Sequence, residues 1–301
     1  MWFLLSLAAV LCWGGSDLFS KLASPNEDRF SHWRICMAVG AVMGVHATVE
    51  LLTGAEFHLI DFWHYAPAIA CYVLSMILGY VGLRYLMLSV SSPICNSSGA
   101  VACVLCLIFL REMPDWLSWI GIVLVTAGVI GLAFVEKKEE GAPGEVADAK
   151  YRNSFVALCF PVFYCLLDGA GTFADALLLD TGLVNEESGN IAYEYTWLAM
   201  GVFAAVYLLA RRQKLFVKTS KFTLAGAVCE TAGQFAYIYA LGPTVGNPTV
   251  AAPLISTYCV FSMVLSRLVL KEKLTPKRVV VLVTVVLGIL AMGIAEGLAE
   301  A

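Results

Sequence analysis

Apolar stretches of about twenty residues recur along this chain, each closed by a short polar break. A helix of that length crosses the hydrocarbon core of a bilayer, so each stretch reads as one span. Ten spans are expected, at 2–22, 31–52, 64–88, 91–110, 115–135, 154–179, 191–210, 222–241, 249–270 and 277–296. Two breaks are longer than the others. Residues 137–152 are charged and carry Gly141, Pro143 and Gly144, which suits a solvated linker between two halves, 1–136 and 153–301. Residues 180–189 read as a short acidic loop. Residues 1–11 have no basic n-region and no clear cleavage site, so they are read as the start of the first span and not as a leader.

The pattern also repeats itself. Residues 91–136 return at 251–296, with Pro93 on Pro253, Glu112 on Glu272, Gly128 on Gly288 and Glu136 on Glu296. Nine of the 46 positions are identical, and because apolar residues coincide by chance, the Pro, Glu and Gly carry the match. Each copy reads as apolar helix, charged turn, apolar helix. Trp13 and Asp17 fall on Tyr164 and Asp168 at an offset of 151, so the first span is repeated too. Five spans per half is an odd number, so the second half must enter the membrane in the opposite sense. The expected fold is an all-α membrane protein, ten transmembrane helices in two inverted five-helix repeats, with function where the copies meet.

Composition supports this reading. The chain is 60% hydrophobic and 14% charged, more apolar than a water-soluble fold can bury. The net charge of −4 says less than the placement of the basic residues. Fourteen Lys and Arg fall in loops 1–2, 5–6, 7–8 and 9–10, among them Arg29, Lys137, Lys214 and Lys277. Arg111 stands alone on the other side. The positive-inside rule puts those loops in the cytoplasm and both termini outside. Compact loops suit a bacterial inner membrane. No basic groove suggests nucleic acid. The ten cysteines all lie in apolar segments, and Cys103 and Cys106 read as packing residues because no companion ligands stand near them. No metal and no other cofactor is expected, and no G-x-x-x-x-G-K-[ST] is present to bind ATP.

Trp13-Gly14 in the first span, Trp33-Arg34 opening the second, and the turn glutamates Glu112 and Glu272 resemble the EamA-type transporters of the drug/metabolite transporter superfamily. The Pro93 and Pro253 helices and the Gly128 and Gly288 helices look like that family as well. The likeness covers nearly the whole chain. The second half departs from it in offering Glu194-Tyr195 where the first has Trp33-Arg34. The resemblance implies a ten-helix carrier working by alternating access around a central cavity. It also implies a metabolite as cargo, such as an amino acid or, in eukaryotic relatives, a nucleotide sugar or phosphorylated sugar.

Charge inside a bilayer costs roughly 3 kcal/mol or more at mid-depth, so each intramembrane polar group calls for a role. Asp168 lies near the middle of the sixth span, and Asp175, two turns on, shares its face. Glu230 and Gln234 share a face of the eighth span at i and i+4. Asn96 and Ser97 follow Pro93, and Ser256, Thr257 and Tyr258 follow Pro253 at matching depth. A proline frees a backbone carbonyl there, and these hydroxyls can face a polar cavity. With Trp13 and Tyr164 they form the expected substrate wall, unless they serve only helix packing. Asp17, Arg34 and Asp175 are the expected gating or coupling groups, although Asp17 could instead pair with Lys21. Arg34, Arg84 and Arg267 sit at span ends, where they would snorkel to headgroups. Glu194, between Tyr193 and Tyr195, reads as an interfacial group in an aromatic belt.

The function expected is secondary transport of a small polar or amphipathic metabolite, cationic or zwitterionic given the surplus of buried acids, with the proton as a possible coupling ion. A channel or a non-transporting membrane scaffold is the alternative. An intramembrane enzyme is disfavoured, because no nucleophile–base pair or spaced-aspartate motif is complete. The partners expected are the lipid bilayer and a small-molecule substrate, with the protein a monomer or homodimer.

Overall fold

In a computed structural model of the protein, residues 1–24, 28, 30–82, 94–111, 113–139, 155–243, 246–269 and 275–299 are described. They form eleven helices and no strand. These are α1 (Trp2–Ala23), α2 (Ser31–Leu52), α3 (Leu59–Gly82), α4 (Ser98–Phe109), α5 (Trp116–Glu139) and α6 (Phe155–Asp180). Then follow α7 (Glu186–Ala210), α8 (Ser220–Leu241), α9 (Pro248–Ile255), α10 (Tyr258–Val269) and α11 (Pro276–Ala299). Among the described residues six segments are long and apolar enough to cross a membrane, with α9 and α10 counted together, and α4 and part of α5 are shorter apolar helices. Pro93, Arg84, Arg29, Glu112, Glu272 and most of the expected linker lie outside the described residues.

Three boundaries differ from the sequence reading, each for a local reason. Helix α7 starts at Glu186, inside the stretch expected to be a loop, because Asn185 and Ser188 form a reciprocal capping box. Two acids in its first turn suit the positive end of the helix. Helix α5 runs on to Glu139, into the expected linker. The expected ninth span is two helices, interrupted at Ser256-Thr257. Ser256 Oγ donates to Ala252 O at 3.0 Å and Thr257 Oγ1 to Leu254 O at 2.7 Å, so each hydroxyl turns back onto a carbonyl that also accepts its residue's own backbone N–H, and neither needs a partner outside the turn. A turn at Asn96-Ser97 precedes α4, 160 residues earlier.

The outer surface is apolar. On α11, Val280, Val283, Leu287, Leu290 and Ile294 form an exposed stripe at helical spacing, which water would not favour and lipid would. Inside, α1 packs most extensively on α8, α2 on α7, α3 on α6 and α5 on α11. Glycines set the closest crossings. A methyl placed on Gly40 would meet the Gly201 Cα at 2.8 Å, so α2 and α7 touch backbone to backbone. The main core lies between α1, α8, α9, α5 and α11, and a second cluster around Tyr65 joins α3, α6 and α7. The start of α1 meets the end of α11, where the Met1 amino group donates to Glu296 at 2.7 Å.

Candidate functional site

Helical spacing brings three polar stripes to the centre of the bundle. Helix α1 presents Trp13, Ser16 and Asp17; α6 presents Tyr164, Asp168 and Thr172; α8 presents Glu230, Gln234 and Tyr237. With Tyr72 of α3, Tyr193 and Trp197 of α7, and Ser98, Ser256 and Tyr258, they enclose a cavity of about 290 Å³. Ser98 is the hydroxyl neighbour of Asp168, Ser16 of Glu230 and Ser262 of Asp17. No Lys or Arg is among the described residues lining the cavity.

The rest of the wall is aromatic. The Trp13 ring lies 5.2 Å from Tyr237 and 5.8 Å from Tyr258, centroid to centroid. Tyr193 lies 5.8 Å from Tyr72 and 6.3 Å from Trp197. Ring faces are electron-rich and attract cations. Two buried donors in the wall, Trp13 Nε1 and Gln234 Nε2, have no hydrogen-bond partner among the described residues.

Asp175 stands one layer behind. It is fully buried, and Tyr72 and Tyr237 both donate to its Oδ2, at 2.5 and 2.8 Å. Their two hydroxyl oxygens are 2.6 Å apart, and the fully buried Tyr65 packs behind them. This layer closes the cavity at one end. Toward the other end Asp17 keeps accessible surface, with Ser20 and Cys36 nearby in the wall.

The structure therefore brings together Trp13, Asp17, Tyr164, Asp168, Glu230, Gln234, Ser256 and Tyr258 of the residues expected at the site. Asn96 and Ser97 lie outside the main cavity, beside a void of about 10 Å³ against Thr126 and Pro253. Asn96 still acts on the wall, accepting from the Tyr258 hydroxyl at 2.8 Å. Thr257 is buried with its hydroxyl turned to its own helix. Arg34 is away from the cavity, at the start of α2. It does not snorkel: it is buried, paired with Asp28, and its Nε donates to Lys214 O at 2.8 Å. Glu194 is not interfacial either. It is fully buried and faces His46, whose Nδ1 lies 2.9 Å from Oε2. Its tyrosine neighbours suggested a belt, but Tyr193 turns inward with Trp197, one helical turn on.

Sequence reasoning did not single out Tyr72, Thr172, Tyr193 or Trp197 as wall residues. An aromatic residue inside an apolar run has no polarity contrast to mark it. The i, i+4 spacing of Tyr193 and Trp197 was the available signal.

An apolar-sided helical bundle with an acidic, aromatic cavity at its centre is the architecture of a multi-pass membrane transporter. The chain belongs to the EamA-like transporter family, within the drug/metabolite transporter superfamily; the match covers residues 1–134 and 187–294. A solved crystal structure superposes with a TM-score of 0.72 over 99% of this chain and 98% of its own, at 12% sequence identity, a likeness of fold. No curated protein matches the chain.

Proposed function

We propose that the protein is a secondary carrier for a small organic cation or zwitterion, an amino acid or a related amine, working by alternating access. The observation that carries this is the cavity wall: three carboxylates, Asp17, Asp168 and Glu230, among seven aromatic rings, with no basic side chain among the described residues that line it. A carboxylate in a low-dielectric wall binds an ammonium group far more strongly than in water. Aromatic faces add cation–π attraction of about 0.5–2 kcal/mol. The free donors of Trp13 and Gln234 suit an acceptor oxygen on the same substrate, which favours an amino-acid-like zwitterion. The same carboxylates are the candidate carriers of a coupling proton.

The proposed scaffold is ten spans in two inverted repeats. Its support is the packing: exchanging spans 1 to 5 with 6 to 10 maps the α1–α8 contact onto α6–α3, and maps α2–α7 and α5–α11 onto themselves. A cavity closed at the tyrosine layer and reachable at Asp17 is one of the two states that alternating access needs. The basic loops are proposed to face the cytoplasm, with both termini outside.

The test is binding followed by flux. Thermal unfolding of the purified protein would be followed against amino acids, polyamines, quaternary amines and sugar phosphates. Ligands of the folded state raise Tm by mass action. Cations or zwitterions should give a saturable shift, and the best of them should show saturable, exchangeable uptake in liposomes. Asp168→Asn and Glu230→Gln should each weaken its affinity by about tenfold or more, the loss of one charge-assisted contact. A shift confined to sugar phosphates, or full affinity in both variants, would refute the reading.

A further inference from the structure

A second polar cluster lies outside the central cavity, between α2 and α7, toward the ends of those helices near Leu52 and Glu186. Helix α2 supplies His46 and Glu50, spaced i and i+4. Helix α7 supplies Asn190 and Glu194, also spaced i and i+4. The two pairs face each other. His46 Nδ1 lies 2.9 Å from Glu194 Oε2 and 3.7 Å from Glu50 Oε2. One ligand atom from each of His46, Glu50 and Glu194 falls within 4.8 Å of the other two. The edges of a tetrahedral shell with bonds of about 2.0–2.1 Å are roughly 3.4 Å, so these separations suit a single ion.

The fourth member points the same way. Asn190 is fully buried one helical turn before Glu194, and its Nδ2 donates to Glu50 Oε2 at 3.1 Å. Its Oδ1 has no partner among the described residues. Turning the amide over would aim that oxygen at Glu50, where a metal ion or a carboxyl proton between the two acceptors would hold them together. Two carboxylates meet one imidazole here, and His46 is the only basic group paired with them among the described residues.

We infer that His46, Glu50, Asn190 and Glu194 form a binding site for one divalent transition-metal ion that clasps α2 to α7. One nitrogen and three oxygens are borderline-hard ligands, which suit Zn²⁺, Co²⁺ or Mn²⁺ and disfavour Cu⁺. The site uses no residue of the central cavity and does not depend on the transport reading. His46 is six residues, about 9 Å along the helix, from the Gly40–Gly201 crossing. The ion would therefore join the two helices at a second point beyond that crossing.

The experiment titrates Mn²⁺ and Co²⁺ separately into chelator-treated, purified protein. Free Mn²⁺ is followed by electron paramagnetic resonance and bound Co²⁺ by its visible spectrum. Saturable binding of one ion per chain is expected, weakened roughly 10–100-fold in each of His46→Ala, Glu194→Gln and Glu50→Gln. Glu50 is partly accessible, so Glu50→Gln serves where a buried substitution fails to fold, with a monodisperse gel-filtration peak as the criterion. Asp168→Asn should bind the metal as the parent does. A thiolate-to-cobalt charge-transfer band would assign the ion to a cysteine and overturn the proposal. So would unchanged binding in the variants, or no saturable binding to the parent, which would leave the cluster a histidine–carboxylate ion pair.

Discussion

Gly128 lies directly against Val285, and the contact is made twice. A methyl on Gly128 would fall 2.3 Å from Val285 Cγ2, and one on Gly288 would fall 2.9 Å from Val125 Cγ1. Each pair becomes the other on adding or subtracting 160. Two copies of one surface therefore meet across α5 and α11, as a two-fold contact requires, and this supports the proposed repeat. The Gly288 position is also 3.0 Å from the backbone oxygen of Gly121, which cannot swing away. Gly288→Ala should therefore cost about 1–3 kcal/mol, seen as a lower Tm of the purified protein. Val125→Ala in the same chain should return part of the loss. A Gly288→Ala variant as stable as the parent would contradict the close approach.

Trp13 depends on a glycine in the same way. A methyl at Gly233 would sit 2.5 Å from Trp13 Cδ1, so the indole packs against α8 this closely only because that position has no side chain. Gly233→Ala should tilt the ring away from Tyr237 and weaken binding of the transported substrate by about tenfold, the worth of one aromatic contact of roughly 1.4 kcal/mol. The far-ultraviolet circular dichroism spectrum should not change. Unaltered affinity would remove Trp13 from the proposed site.

Asp175 is a positioning residue, since it lies behind the wall and holds two of the wall's hydroxyls. Replacing Tyr72 or Tyr237 by Phe removes one donor from a buried carboxylate, which should cost about 1–3 kcal/mol of stability. Asp175→Ala should be worse, because it strands both hydroxyls. In Asp175→Asn one acceptor oxygen remains, so Tm should recover toward the parent value. Substrate affinity measured on the same variants should fall in the order of their Tm. If Asp175→Ala lost neither, the layer would be mere packing.

Asp115 caps α5 outside the apolar spans. Its Oδ1 accepts from the backbone N–H of Leu117 and Ser118, at 2.8 and 3.1 Å, and the Ser118 hydroxyl donates to Oδ2 at 2.6 Å. That hydroxyl, with the backbone donors, holds the carboxyl below its ordinary range. A lowered folded value means that the cap stabilises above the ordinary carboxylate range and loses its effect as pH falls through the folded value. Asp115→Ala should cost about 0.5–2 kcal/mol at neutral pH. The gap in Tm between variant and parent should close in strong acid. A gap independent of pH would mean the carboxylate charge plays no part.

Much of this was legible because the sequence sets polar residues against an apolar background. Asp17, Asp168, Glu230 and Gln234 stand out from their spans, and helical spacing alone aligns the last two. Tyr72 and Trp197 did not stand out, since an aromatic ring suits lipid, core and ligand equally. Arg34 and Glu194 were visible as charges but not as pairs. Asp28 is local, six residues before Arg34, but the Lys214 carbonyl and His46 are brought in by how the chain packs far along the sequence. The start of α7 was hidden because Asn185 and Ser188 look like loop residues until their reciprocal bonds are seen. The break at Ser256-Thr257 was hidden for the opposite reason, because hydroxyl residues are tolerated in an unbroken span.

That break has a mechanical meaning. Helices α9 and α10 are two short rods meeting end to end beside the cavity, and a turn stands at the matching place before α4. A rod interrupted at its middle bends there before it bends anywhere else. Half of such a span can tilt while the other half stays seated against its neighbours. Such a joint would let α9 and α10 move separately, without either having to slide along its length.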